Sequence, residues 1–230
     1  MLILRHCLFY CGQQTHDKGW ACPMSPVKKR RRQGSRAIAV IDALADGAAT
    51  AEDLRKRFPV LSAREIAGEL QIRVTTTDDD PLFGSIWRFV ECRPRPPHIL
   101  LYKHGLAPLE QALVRGPAAR LLGEAPLEDI FVAHELYHHV EATRAETPIA
   151  RRHQATLFQI GKWRWRTGIA TLAEIAAGSF AQGLLELPCH AKVLDFVACE
   201  RIGSRTSPLP IPGPASMRGA RPEGPLRFGA

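Results

Sequence analysis

The sequence predicts an α+β fold that is mostly helical, with a small β-sheet to one side of the helical body. Apolar residues recur at helical spacing from Ala37 to Leu70, and again from Ala107 to about Ile202. Between these regions lie three short segments rich in β-branched and aromatic residues, separated by the turn sequences DDDP and RPRPP. The 230 residues are 45% hydrophobic, which is enough to build one sizeable core.

We expect one folded domain, residues 36–202, between two disordered tails. Residues 203–230 are dense in proline and glycine, a composition that cannot bury a core. Residues 1–35 form a basic leader, whose short apolar patch is interrupted by His6, Cys7 and Cys11 and does not match a secretory signal. The apolar runs of the chain are also far shorter than the ~20 residues that cross a bilayer. We therefore expect a cytoplasmic protein without a membrane partner.

The positive charge of the chain is concentrated in this leader. Six lysines and arginines between Lys28 and Arg36 supply most of the formal net charge of +8. Such a run occurs in nuclear addresses and in nucleic-acid-binding arms, but a solvated linker is the interpretation that we prefer. The leader also holds four potential zinc ligands, Cys7, Cys11, His16 and Cys22. No apolar pattern around them predicts a domain, and Met24 is an alternative start of the chain.

Three short helices are predicted at the beginning of the folded domain. The first covers Ala37–Ala45 and is expected to end at Gly47. The second and third begin at the capping-box sequences Thr50-Ala-Glu-Asp and Ser62-Ala-Arg-Glu. Next to the basic run, these helices could alternatively form a DNA-binding unit, although none of them is basic enough to stand out as a recognition helix.

Three strands follow, near Ile72, from Gly84 and from His98, and the pattern beyond Ala107 is helical again. Within that last region the segment KWRWR, from Lys162 to Arg166, alternates aromatic and basic residues. It could stack on nucleic acid. We expect instead a packed tryptophan pair with arginines reaching to solvent near the entrance of the site.

The predicted helix from Glu128 to Arg144 carries an HExxH motif in an otherwise apolar stretch. His134 and His138 are four residues apart and share one helix face, so both imidazoles can reach one zinc ion. Glu135 lies beside that face, where a carboxylate can accept a proton from activated water and return it to a leaving amine.

Two further polar residues of this helix are assigned no catalytic role. His139 points about a third of a turn away from the ligand face, and we expect an ordinary, partly exposed histidine. Glu141 returns to the ligand face, where it either orients His138 or is a surface carboxylate at the helix end. His153 and His190 could stabilise an oxyanion, but we expect structural roles for both.

A catalytic zinc site needs a third protein ligand. The residues just after the motif do not follow the metzincin pattern, which requires glycine and histidine there. The apolar helix predicted from Thr171 to Pro188 carries Glu174 in its first half. A carboxylate in such a position is costly to bury unless it is paired, and zinc coordination would resolve that cost.

The two motifs together resemble the ImmA/IrrE family of bacterial metallopeptidase-like proteins. That family combines HELGH with a helix of the form E-x-x-A-N-x-F-A-x-x-L-L, and here HELYHH is followed by EIAAGSFAQGLL and then by Pro188. The upstream helix SAREIAGEL, the strand IRVTT and two more strands also agree, so that the resemblance covers about residues 60–200. Two departures are Tyr137, where the family usually has glycine, and Gly178, where it usually has asparagine.

The resemblance implies a zincin-like fold with His134, His138 and Glu174 as ligands of one Zn²⁺ ion and Glu135 as catalytic base. It also implies a zinc-dependent endopeptidase whose substrate is a protein or peptide, such as a DNA-bound regulator. Two alternatives remain: a DNA-binding transcriptional regulator using the N-terminal helices and the basic run, and a zinc-binding sensor without catalysis.

Overall fold

A computed structural model describes residues 26–83, 86–115, 120 and 123–203. These residues form an α+β fold, as predicted. The helices are α1 (Pro26–Arg57), α2 (Ala63–Glu69), α3 (Lys103–Arg115), α4 (Leu127–Thr143), α5 (Ile149–Arg152), α6 (Thr171–Leu184) and α7 (Val193–Gly203). The strands are β1 (Arg73–Thr77), β2 (Leu82–Phe83), β3 (Ile86–Trp87), β4 (Val90–Pro94), β5 (Pro97–Tyr102), β6 (Gln154–Ile160) and β7 (Trp163–Gly168).

The predicted three-stranded sheet is present, in the order β1-β5-β4. The central strand β5 is parallel to β1 and antiparallel to β4, and its residues from Ile99 to Tyr102 are buried. The segment predicted as one strand from Gly84 is divided between two pairings. Its first part, β3, pairs with β2 in a separate short hairpin, whereas β4 joins the main sheet.

Helix α4 is the centre of the core, with the sheet and α2 packed against it and α6 on another side. Its Phe131 stacks on Phe89 from the sheet side, with ring centroids 5.5 Å apart. Its Tyr137 packs against Phe180 of α6 at 5.7 Å. Because α4 is contacted on several sides, nearly all of its first eleven side chains are buried, polar ones included.

The first two predicted helices are one continuous helix, α1, so the predicted end at Gly47 is wrong. Gly47 lies where α1 crosses α6, and a Cβ atom there would be 2.1 Å from the carbonyl oxygen of Ala176. The glycine therefore permits close helix packing. Thr50 does not cap a second helix, because its hydroxyl donates to the carbonyl oxygen of Asp46 at 2.7 Å. The capping box at Ser62, by contrast, is confirmed at the start of α2.

The region beyond Ala107 was predicted to be helical throughout, and this prediction is wrong for residues 154–168. Strands β6 and β7 form an antiparallel hairpin there, between α5 and α6. Its turn contains Gly161 at a φ of 56°, a backbone conformation that glycine adopts without steric cost. Large side chains occupy every second position on both strands, which is the period of a β-strand. They are Phe158 and Ile160 on β6 and Trp163 and Trp165 on β7.

The predicted tails fall largely outside the described residues. Helix α1 begins at Pro26, so the predicted domain boundary at residue 36 lies within a helix. Residues 1–25 and 204–230, including the cysteines of the leader, lie outside the described part of the chain. None of the helices described is both long enough and apolar enough to span a membrane.

Candidate metal centre

Helix α4 presents the three polar residues of the HExxH motif from inside the core. The motif begins at the eighth residue of this helix, after an apolar stretch that anchors the first two turns. The side chains of His134 and His138 are 9% and 17% exposed. Their rings meet edge to face with centroids 5.1 Å apart, as expected for residues one turn apart on the same face.

Helix α6 supplies the carboxylate that the sequence predicted as their partner. Nε2 of His134 is 3.2 Å from Oε2 of Glu174, and Nε2 of His138 is 3.6 Å from its Oε1. All three residues offer ligand atoms that lie within 4.8 Å of one another. This His-His-Glu group could therefore hold a metal ion.

Coordination by Glu174 would place one of its oxygens beside both imidazoles. Ligand bonds of 2.0–2.1 Å to zinc in tetrahedral geometry put donor atoms about 3.3 Å apart. The nitrogen-to-oxygen distances of 3.2 and 3.6 Å are made to different oxygens of Glu174. One ligand atom from each of the three residues lies within 4.8 Å of the others, so the group can converge on one ion.

The two histidines differ in their affinity for protons. Burial, together with the neighbouring His134, lowers the pKa of His138 to about 4, so its imidazole is neutral near pH 7 and available as a ligand. Burial alone would also lower the pKa of His134, but the hydrogen bond and the charge of Glu174 raise it above the ordinary value. At His134 a proton therefore competes with a metal ion.

Glu135 is 2% exposed and follows His134 on α4. It is not a member of the His-His-Glu group. Its carboxylate lies close enough to Cys92 of β4 to act on that thiol: burial and the charge of Glu135 raise the pKa of Cys92 to about 12. The thiol is thus neutral near pH 7. No motif in the sequence indicates that Cys92 comes near Glu135.

Tyr137, the residue that departs from the family pattern, is fully buried and directed towards α1. Its hydroxyl donates to Oδ2 of Asp46 at 2.7 Å. Arg144 donates to the same carboxylate oxygen at 2.6 Å, and Arg152 lies 2.8 Å from the other. The centroid of the Tyr137 ring is 5.8 Å from that of the His138 ring. The hydrogen bonds around Asp46 therefore also help to hold His138, one of the candidate ligands, in place.

Glu141 has neither of the two roles considered for it. It is 8% exposed, and its Oε1 accepts a hydrogen bond from the backbone N–H of Ile149 at 2.8 Å. That N–H is the first of α5. The carboxylate thus joins the end of α4 to the start of α5. His139 is half-buried and lies outside the His-His-Glu group.

His153 and His190 have structural contacts, in agreement with the role preferred for them. His153 pairs with Asp42 of α1 at 2.8 Å. His190 uses both ring nitrogens on the backbone: Nε2 is 3.0 Å from the carbonyl oxygen of Ile175, and Nδ1 accepts from the N–H of Lys192 at 3.2 Å. Gly178 makes room for this ring, because a Cβ there would lie 2.2 Å from Cε1 of His190.

Lys192 and Asp195 are site neighbours that the sequence did not indicate. With His134, Ile130 and Phe131 they line a small cavity beside the candidate ligands. Nζ of Lys192 donates to Asp195 at 2.7 Å. No local motif marks these residues, because only the tertiary fold brings them to the same cavity as Ile130, Phe131 and His134 of α4.

Comparisons with protein-family models, with curated proteins and with solved structures found no match for this chain.

Proposed function

We propose that this chain is a zinc-dependent metallopeptidase of the ImmA/IrrE type, cleaving a peptide bond in a protein substrate. The observation that carries the proposal is the convergence of Glu174 on His134 and His138 across 40 residues of sequence. The buried Glu135 next to this group supplies the fourth component that such hydrolysis requires. The motif alone predicts the ligands on α4, whereas the third donor comes from a separate helix.

The protein residues divide the chemistry between them. A bound zinc ion would activate water and polarise the scissile carbonyl as a Lewis acid. Glu135 accepts a proton at its carboxylate as the water oxygen attacks the carbonyl carbon. It then delivers that proton to the amide nitrogen as the C–N bond breaks, which leaves a carboxylic acid and an amine. Lys192, which donates to Asp195 and lines the adjoining cavity, is the residue to which we assign the orientation of the substrate carbonyl.

Two further parts of the proposal have different origins. The substrate, a regulatory protein, follows from the family resemblance, and the cytoplasmic location is the expectation drawn from the sequence. The positions of Tyr137 and Gly178 are compatible with this activity. The tyrosine ring packs towards α1 and α6, and Gly178 accommodates His190.

Two other functions have weaker support. A DNA-binding unit drew on three separate N-terminal helices, but two of them are one helix whose Ala43, Gly47 and Ala51 pack on α6. A zinc sensor without catalysis would need the same three ligands, but it has no use for a buried glutamate at position 135.

Metal content and cleavage measured on four proteins test the proposal. The wild type is expected to bind one zinc ion per chain and to cleave members of a mixed peptide library. Glu174→Ala should lose most of the zinc, because one of three protein ligands is removed. Glu135→Gln should retain zinc and lose cleavage by a factor of roughly 10²–10⁴. Glu186→Ala is the matched control, since this exposed glutamate pairs with Arg55 away from the group.

Each component of the proposal has its own contrary result. Stoichiometric zinc in Glu174→Ala would show that the third ligand is wrong. Unchanged cleavage by Glu135→Gln would exclude this residue as the base. A wild type that binds zinc and cleaves no library member would support the sensor.

A further inference from the structure

The β6–β7 hairpin exposes an unusual amount of apolar surface. Five large side chains on its two strands are 52–85% exposed: Leu157, Phe158, Ile160, Trp163 and Trp165. Trp163, next to the turn, is the most exposed of them. The expected packed tryptophan pair is therefore absent from the hairpin, where Trp165 stacks on Phe158 with centroids 6.0 Å apart while both rings remain open to solvent.

The register of the hairpin places most of these side chains on one face. Phe158 is opposite Trp165, and Ile160 is opposite Trp163. Directly opposed residues project from the same side of an antiparallel pair, and residues two apart on one strand share a face. The four side chains thus form one continuous apolar face. The pair between them, Gln159 and Arg164, projects from the other face.

The charges of the hairpin are all positive. Lys162, Arg164 and Arg166 are exposed, and the chain contains no acidic residue between Glu146 and Glu174. Segments that lie in the interface of an anionic bilayer combine an apolar face rich in tryptophan with basic residues elsewhere on the segment. The hairpin has this combination, with its cations at the turn and on the opposite face. Tryptophan and phenylalanine occupy the boundary of headgroups and acyl chains in a bilayer, and long basic side chains reach the lipid phosphates.

In contrast to the expectation from the sequence that the protein has no membrane partner, we propose that the β6–β7 hairpin docks on the surface of an anionic phospholipid bilayer. The apolar face of Phe158, Ile160, Trp163 and Trp165 enters the headgroup region. Lys162, Arg164 and Arg166 bind the lipid phosphates. The proposal does not rest on the peptidase activity.

Single-stranded nucleic acid is the other polyanion that basic and aromatic residues bind. A stacking platform for bases is built of exposed rings. Here aliphatic Ile160 and Leu157, which cannot stack on a base, are part of the exposed surface, at 72% and 62% exposed. An apolar medium bounded by negative charge fits this arrangement better than a nucleic-acid strand.

The hairpin is attached close to the candidate metal centre. Gly168, its last residue, packs on the carbonyl oxygen of Ala150, which accepts a hydrogen bond from the N–H of Ile169 at 2.7 Å. Helix α6 begins three residues after Gly168 and carries Glu174 in its first turn. Docking of the hairpin would therefore hold the metal centre near the membrane surface.

Co-sedimentation with vesicles tests the proposal on the full chain. We expect binding to vesicles of phosphatidylcholine mixed with phosphatidylglycerol, and a shift of tryptophan emission to shorter wavelength on binding. Replacing Lys162, Arg164 and Arg166 by glutamine should weaken binding on the order of a hundredfold. The double variant Trp163→Ser, Trp165→Ser should weaken it at least about tenfold and abolish most of the emission shift. Phe196→Ser, which removes an aromatic ring 77% exposed on α7, is the matched control and should bind as the wild type does.

Three results would overturn the proposal. The first is equal binding by the wild type and both hairpin variants, which would assign vesicle binding to another part of the chain, such as the basic run of α1. The second is equal binding to vesicles of phosphatidylcholine alone. The third is failure to bind either vesicle while an oligodeoxythymidine binds and requires the hairpin, which would identify nucleic acid as the partner. Unchanged thermal unfolding of the variants would show that the hairpin residues act at the surface.

Discussion

At the scale of single residues, Asp46 is the centre of the polar network behind the candidate metal centre. Its carboxylate, 7% exposed, accepts hydrogen bonds from Tyr137 and Arg144 and contacts Arg152. It thus joins α1 to α4 and α5. Burial alone would raise the pKa of Asp46, but the hydrogen bonds from Arg144 and Tyr137 lower it below its ordinary value. The folded state therefore favours the charged carboxylate.

Asp46→Asn should lower the free energy of unfolding by about 1.5–3 kcal/mol at pH 7, because it leaves two partly buried arginines, Arg144 and Arg152, without their counter-charge. Since the folded-state pKa is lowered, the contribution of Asp46 is complete above its unfolded-state value of 3.8. It is lost as the pH falls from there through the folded-state pKa. Urea unfolding at pH 7 and at lower pH should thus show a difference between the proteins that shrinks in acid.

Asp42→Asn is the matched control for this measurement. Asp42 lies on the same helix, but its side chain is 55% exposed and pairs with His153 at the surface. Exposed pairs contribute about 0–1 kcal/mol. A loss of stability in Asp42→Asn as large as that in Asp46→Asn would contradict the proposed role of the buried network.

At the scale of elements, the contact between α1 and α6 determines where Glu174 lies. The contact is close because its residues are small: Gly47 faces the backbone of Ala176, and the Ser179 hydroxyl donates to the carbonyl oxygen of Leu44 at 2.8 Å. On the neighbouring turn a Cβ on Gly183 would lie 3.0 Å from Ala51. Larger side chains would push α6, and with it Glu174, away from its present position.

Gly47→Ala should lower the free energy of unfolding. In an exposed helix this change would stabilise by about 1 kcal/mol, but overpacking at a close contact costs about 1–3 kcal/mol. The matched control is Gly68→Ala in α2, where an added Cβ meets nothing within 4 Å. That variant should be more stable than the wild type. Urea unfolding measures both, and a stabilised Gly47→Ala would contradict the close contact.

At the scale of the whole molecule, the candidate metal centre connects the two central helices of the core. A ligand that binds only the folded chain stabilises it by an amount that depends on its concentration relative to Kd, about 4 kcal/mol at a thousandfold excess. Zinc should therefore raise the Tm of the wild type, and a chelator should reverse the rise. Glu174→Ala should show little response, whereas Glu186→Ala should respond as the wild type does. Equal zinc responses in Glu174→Ala and wild type would contradict a bridge between α4 and α6.

The same bridge should depend on pH. Metal binding requires neutral imidazoles, and the pKa of His134 is raised above its ordinary value of 6.5. The zinc affinity of the wild type should accordingly fall as the pH is lowered through the region near and below neutrality. His138 contributes to this loss only in stronger acid, since its pKa is about 4. Zinc titrations at several pH values measure the effect. A zinc affinity that stays the same from pH 7 down to about pH 6.5, the ordinary pKa of histidine, would contradict it.

Local pattern in the sequence was sufficient for the central features of the fold and the site. The helix predicted from Glu128 to Arg144 agrees with α4 within one residue at each end, because its apolar periodicity is strong. The three-stranded sheet and the start of α2 were also predicted correctly. Glu174 could be selected because it is an acid in an apolar helix, and the structure brings it to both histidines.

Other features depended on contacts between residues distant in sequence. Gly47 has the local pattern of a helix end, but the backbone of α6 at Ala176 makes it an interior residue of α1. Tyr137 is directed to Asp46, 91 residues earlier, and Lys192 lines a cavity with His134, 58 residues earlier, only because of the tertiary fold. The sequence by itself therefore determined the chemical groups of the candidate centre and the helices that carry them. Tertiary structure alone decided helix continuity and side-chain partners, because these depend on which surfaces exclude water together.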